Sequence, residues 1–199
     1  MKVIISIFIL YLSLSNLSVI QSLQNNLYWE NMSSSEKEHF LSSHKIDQVA
    51  LQYYNGKFIV SDDNNTFKLL KTLTAKKPAL IPFYNYLFNK ICKKADGALS
   101  EALGKYCLSM IINNPDYVIN YFTFERENKK GNEHYYQLYG NILGYEMYFK
   151  EDGTSDIDYS FAQFKKFLDN HFQNSSAQNK QTLKLFYDCI SQAMKNMSD

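Results

Sequence analysis

Between Leu80 and Ile111 the apolar residues return every third or fourth position. Leu80, Phe83, Tyr84, Leu87, Phe88 and Ile91 form one stripe, and Leu99, Ala102, Leu103, Tyr106, Cys107, Met110 and Ile111 form the next. This is the period of a helix with one buried face, not the two-residue alternation of a half-buried strand. The pattern recurs along the chain. Ile46, Val49, Ala50, Tyr53 and Tyr54 make a short stripe, Phe67, Leu70 and Leu73 another, and Tyr117, Val118, Tyr121 and Phe122 a third. Residues 132–149 read as a Tyr-rich helix; Phe161, Phe164, Phe167 and Leu168 precede a last stripe through Leu183, Phe186, Cys189, Ile190 and Met194.

Punctuation between the stripes supports the same reading. Ser35-x-x-Glu38 has the spacing of a capping box. Asn55-Gly56 would suit a hairpin turn, but a strand there would put Ala50, Gln52 and Tyr54 on one face, a mixed set. A helix with Gly56 in a left-handed cap is preferred, with 57–60 extended. Ser61-Asp62-Asp63-Asn64 offers N-caps, Pro78 stops one helix, Pro82 suits the first turn of the next, and Asp96-Gly97 and Asn113-Asn114-Pro115 are breaks. The expectation is an all-α fold of about eight antiparallel helices packed as helical hairpins. No fixed-period repeat points to a solenoid. With 199 residues, 45% of them hydrophobic, and only 7 Gly and 3 Pro, one domain with a substantial core is expected over residues 36–199.

The N-terminus reads differently. Met1-Lys2 is a minimal basic start, Val3–Leu14 is apolar, and Ser18 and Ser22 are small residues suited to cleavage. Residues 1–22 are therefore predicted to be a signal peptide. The serines dilute the alternative, an uncleaved anchor. Residues 23–35 are polar and expected to be a flexible segment. The mature chain is expected in the periplasm or secreted, with no membrane span. Its formal charge of +1 becomes zero once Lys2 is removed. A neutral chain with Arg126 as its single arginine argues against nucleic-acid binding, which requires a surplus of cations.

An exported chain makes the three cysteines informative. Cys92 and Cys107 flank a turn. In a tight hairpin Cys92 lies about 3 Å from the turn and Cys107 roughly 14 Å from it at 1.5 Å per residue. A Cys92–Cys107 bridge is then disfavoured unless the first helix ends early. Cys189 could pair with either, and three buried free thiols are the competing reading. No C-x-x-C or zinc-type spacing occurs, so no metal or cofactor is expected.

Catalytic motifs are absent: there is no G-x-S-x-G, H-E-x-x-H or P-loop. Glu133 and His134 are adjacent, so on a helix their side chains diverge. Asp152-Gly-Thr-Ser-Asp156-Ile-Asp158 departs from the calcium-loop pattern at its sixth and twelfth positions, where Ile157 and Gln163 stand. Gly140-x-x-x-Gly144 is read as a close crossing of soluble helices. Two features point to recognition. From Asn64 to Ala95 there are seven lysines and no acid, with Lys68, Lys71, Lys76 and Lys77 as candidate contacts for an acidic partner or an anionic envelope polymer. Tyr117, Tyr121, Tyr135, Tyr136, Tyr139, Tyr145 and Tyr148 are too many for one buried face, and Tyr135 and Tyr139 are candidate binding residues. The function expected is that of an exported, non-enzymatic helical protein that binds another protein, for example an immunity or inhibitor protein in the cell envelope. An envelope glycan-binding module or an unrecognised hydrolase using His134 are the alternatives.

Overall fold

A computed structural model of the chain describes residues 28–131, 133–151, 153–155 and 157–198. The expected signal peptide lies outside the described residues, as do Asp152 and Asp156 of the acidic loop. The chain divides into two compact units, Met1–Ile46 and Asp47–Asp199. Among the described residues there are nine α-helices and no strand, so the protein is all-α. None of these helices is long and apolar enough to cross a membrane.

In the first unit a 3-10 turn, Trp29–Asn31, leads into α1, Ser34–Ser43. The capping box is Ser33 with Glu36, two residues before the expected pair. Glu36 N donates to Ser33 Oγ and Ser33 N donates to Glu36 Oε2, at 3.3 and 2.7 Å. Consecutive serines and two glutamates offered either register. The earlier one sets Phe40 edge-on to Trp29, with ring centroids 5.5 Å apart.

The second unit begins at the N-cap of α2, Gln48–Tyr54. Asp47 Oδ1 accepts from Val49 N and Ala50 N. Gly56 follows with φ of 70°, the left-handed conformation that the helical reading required. Residues 57–60 form no strand. Helix α3, Asn64–Leu73, is capped by Asp63, whose Oδ1 accepts from Thr66 N at 2.7 Å. Pro82 sits in the first turn of α4, Ile81–Cys92. Then come α5 (Gly97–Asn113), α6 (Pro115–Asn128), α7 (Tyr135–Glu151), α8 (Phe161–His171) and α9 (Ala177–Ser198). The expected stripes face inward: Phe83, Leu87 and Phe88 on α4, Met110 and Ile111 on α5, and Phe186 and Ile190 on α9 are fully buried.

Helix α7 is the hub, and its most extensive contacts are with α9 and α5. Its glycines explain the first. A Cβ at Gly140 would stand 2.6 Å from Cys189 Cβ, and one at Gly144 would stand 2.5 Å from Ala193 Cβ and 2.6 Å from Ile190 O. Gly140-x-x-x-Gly144 is thus a close-crossing surface, as its sequence indicated. Residues four apart on α7 meet residues four apart in the same order on α9, so the two helices cross in a parallel sense. This principal pair is neither sequential nor antiparallel, unlike the hairpins expected.

Candidate functional site

The end of α4 and the start of α7 line an open cavity of about 690 Å³. Cys92, Lys93 and Ala95 form one wall; Glu133, His134 and the first turns of α7, including Tyr135, Gln137 and Asn141, form the other. A buried acid organises the second wall. Glu125, in the last turn of α6, is only 6% exposed. Its Oε1 accepts from Lys129 Nζ at 3.1 Å, and its Oε2 accepts from Tyr135 N at 2.7 Å. One carboxylate therefore compensates a cation and one of the orphan amides at the start of α7. Lys129 Nζ also donates to the Glu133 carbonyl, and His134 N donates to Gln137 Oε1 at 2.9 Å. The turn between α6 and α7 is held from several sides, with Gly131 at φ of 129°.

His134 is placed before α7, not within it. Its ring stacks on Tyr136 with centroids 5.3 Å apart. Its Nδ1 lies 3.9 Å from Glu125 Oε2, too far for a hydrogen bond, and is buried with no hydrogen-bond partner. The acid facing His134 is therefore Glu125, nine positions earlier, and not the adjacent Glu133. At the mouth, Lys93 Nζ lies 4.3 Å from the centroid of Tyr135 and Lys129 Nζ 5.7 Å from it. Both lie within the range of a cation–π contact. Tyr121 tilts against Tyr135 at 5.6 Å.

The lysine run and the tyrosine run of the sequence thus meet at Lys93 and Tyr135. The other candidates lie elsewhere. Lys68 and Lys71 are exposed on α3, and Lys76 and Lys77 are exposed between α3 and α4, with Lys77 Nζ 5.5 Å from the Tyr84 ring. Tyr139 corrects its expectation as a surface residue. It is fully buried, edge-on to Phe88 and Phe122, and its hydroxyl donates to Asn89 Oδ1 at 2.8 Å. One turn separates it from Tyr135, and that turn carries it from the rim into the core. Period alone marks both tyrosines equally; the buried partner Asn89 carries no signal in a stripe search.

All three cysteines are free thiols. Helix α4 ends at Cys92, and α5 lies chiefly along α7, not along α4. The height mismatch of a tight hairpin therefore does not apply. The thiol of Cys107 is fully buried, and burial, then the neighbouring Cys92 thiol, pushes its pKa well up. Cys189 sits apart, at the crossing of α7 and α9 against Gly140.

A second cavity, of about 540 Å³, lies between α8 and α9. Tyr187 at its wall donates to Asp169 Oδ1 at 3.0 Å, and Lys165 Nζ lies 4.8 Å from the Tyr187 ring. Among the described residues no three His, Cys, Asp or Glu side chains are placed to share a metal ion. Comparison with known protein families, curated proteins and solved structures finds no match.

Proposed function

We propose that this chain is an exported binding protein without catalytic chemistry of its own, and that it engages another protein at the cavity between α4 and α7. The observation that carries the reading is Lys93 laid on Tyr135 at the cavity mouth. An ammonium held over an aromatic ring, beside a cavity that admits a side chain, suits an acidic residue flanked by apolar surface. Tyrosine gives a rigid, amphipathic contact at low entropic cost, and the lysine steers an acidic partner. An inhibitor or immunity protein in the envelope is one concrete form. Export rests on residues 1–22, with their basic start, apolar stretch and small residues.

The test is recovery of the chain, tagged at its C-terminus, from the envelope or medium of its own source. The expected result is one stoichiometric protein, captured at moderate salt and lost with Lys93→Glu combined with Tyr135→Ala. Capture that survives both substitutions would refute the site. Recovery of glycan or anionic polymer, released by high salt, would move the reading to a polymer-binding module, since exposed charge contacts are screened within about 10 Å at 0.1 M salt.

One observation favours a second reading. His134 lines the cavity with the buried Glu125 carboxylate behind it, an arrangement that can orient an imidazole for proton transfer. Hydrolysis of model esters or glycosides that disappears with His134→Ala and falls with Glu125→Gln would establish a hydrolase. Equal, negligible turnover in all three forms would remove it.

A further inference from the structure

We propose that the open groove between α8 and α9 binds a single-chain amphiphile with an anionic head, namely a free, monomeric fatty acid of medium chain length. The proposal is independent of what the cavity between α4 and α7 binds.

The shape comes first. The groove has a volume of about 540 Å³, within the range of small-ligand sites. Phe161 opens α8, Phe172 follows its last residue, and both line the groove. The groove therefore runs the length of α8, about 16 Å at 1.5 Å per residue. Leu183 and Tyr187, one turn apart on α9, complete an apolar floor. Phe172, Leu183 and Tyr187 are all buried. Lys165 Nζ lies 4.8 Å from the Tyr187 ring, so its alkyl stem adds to the same wall. An elongated apolar floor fits an extended alkyl chain better than a compact ring system.

Charge then places the head group. The polar groups along the middle of the groove are engaged with one another. Lys165 pairs with Asp169, Lys184 pairs with Asp188 at 2.9 Å, and Tyr187 donates its hydroxyl to Asp169. They are committed before any sugar or peptide backbone arrives. Lys180 lines the same groove and has no ion pair among the described residues. The connector of residues 172–176 is short, so Lys180, in the first turn of α9, falls at the Phe172 end. Phe161 meets Tyr187 two turns further along α9, with ring centroids 6.3 Å apart. One uncompensated ammonium thus stands at one end of an apolar trough. That asymmetry orients an anionic amphiphile, with its head at Lys180 and its tail running toward Phe161 and Ser191.

The test is calorimetric titration of the full chain with dodecanoate, kept below its micelle-forming concentration. The expected result is one saturable site per chain. Affinity should rise about two- to four-fold for each methylene added between octanoate and dodecanoate, as burial of the tail requires. Dodecyltrimethylammonium has the same tail and the opposite head, and should bind more weakly. Lys180→Glu changes an exposed residue and leaves the floor intact; it should weaken dodecanoate about five-fold or more, because an attraction at the rim becomes a repulsion. Lys93→Glu, at the other cavity, should leave the affinity unchanged. Dodecanoate carrying a nitroxide on its tail should broaden the amide signals of Phe161 and Ser191 before those of Tyr135 and Asn141. Absence of saturable binding, equal affinity for the two head groups, unchanged affinity in Lys180→Glu, or broadening centred on Tyr135 would each overturn the proposal.

Discussion

Tyr139 and Tyr53 are both buried, and their hydroxyls are in opposite situations. Tyr139 donates to Asn89 Oδ1, and the Asn89 Nδ2 beside it already lacks a partner. Tyr53 packs on α2 with its hydroxyl buried and unpaired. Removing one member of a buried pair leaves the other desolvated, whereas removing an unpaired group removes a cost. Tyr139→Phe is therefore expected to destabilise the protein by about 1–3 kcal/mol, because Asn89 then has neither bond. Tyr53→Phe is expected to be neutral or stabilising by up to about 1 kcal/mol. Urea midpoints at unchanged slope separate the two. Equal losses in both variants would mean that packing of the hydroxyl oxygen, and not its bonding, sets the cost.

At the scale of helices, the crossing of α7 on α9 depends on a missing side chain. A Cβ at Gly144 would meet Ala193 Cβ and the Ile190 carbonyl at 2.5 and 2.6 Å, and the carbonyl belongs to a helix backbone that cannot swing aside. Gly144→Ala should gain helix propensity, roughly 1 kcal/mol, and lose more than that through the forced separation of the two helices. The net expectation is destabilisation by about 1–3 kcal/mol, as for overpacked cores generally. Thermal unfolding measures it, and a stabilised variant would show that the crossing can open without loss. This surface was legible in the sequence because small residues four apart share a helix face. So were the cap at Asp63, the left-handed Gly56 and most apolar stripes, since each signal is local; the stripe drawn from Ile46 began too early, because Asp47 caps a helix that starts at Gln48. The acid that faces His134 was not. Glu125 reaches it only because α6 stops at Asn128 and the chain returns, and periodicity holds no record of that return. The direction of α7 against α9 was hidden for the same reason: it joins segments whose relative placement is decided by the whole core.

For the whole molecule, buried acids that are neutral in the fold set the response to alkali. Burial raises the Tyr53 hydroxyl to about 12; it also raises Tyr187, aided by Asp169, and raises Tyr139 well above the ordinary value. Unfolded tyrosine titrates near 10. Above that pH the unfolded chain sheds protons that the folded chain retains, so stability falls as pH rises. The contribution is complete below about 10 and is lost as the solution passes through the raised values. Cys107 adds an earlier step. Its unfolded thiol titrates near 8.5, and burial holds the folded thiol well above that. The reduced protein should therefore begin to weaken from about 8.5, and weaken further from about 10. Urea midpoints of the reduced protein across this range, read by helical circular dichroism alongside phenolate absorbance, distinguish the two thresholds. A common onset would show that the thiol protons of Cys107 and Cys189, both raised by burial, are not linked to folding. Phenolate appearing without loss of helix would show that solvent reaches the buried tyrosines in the folded state.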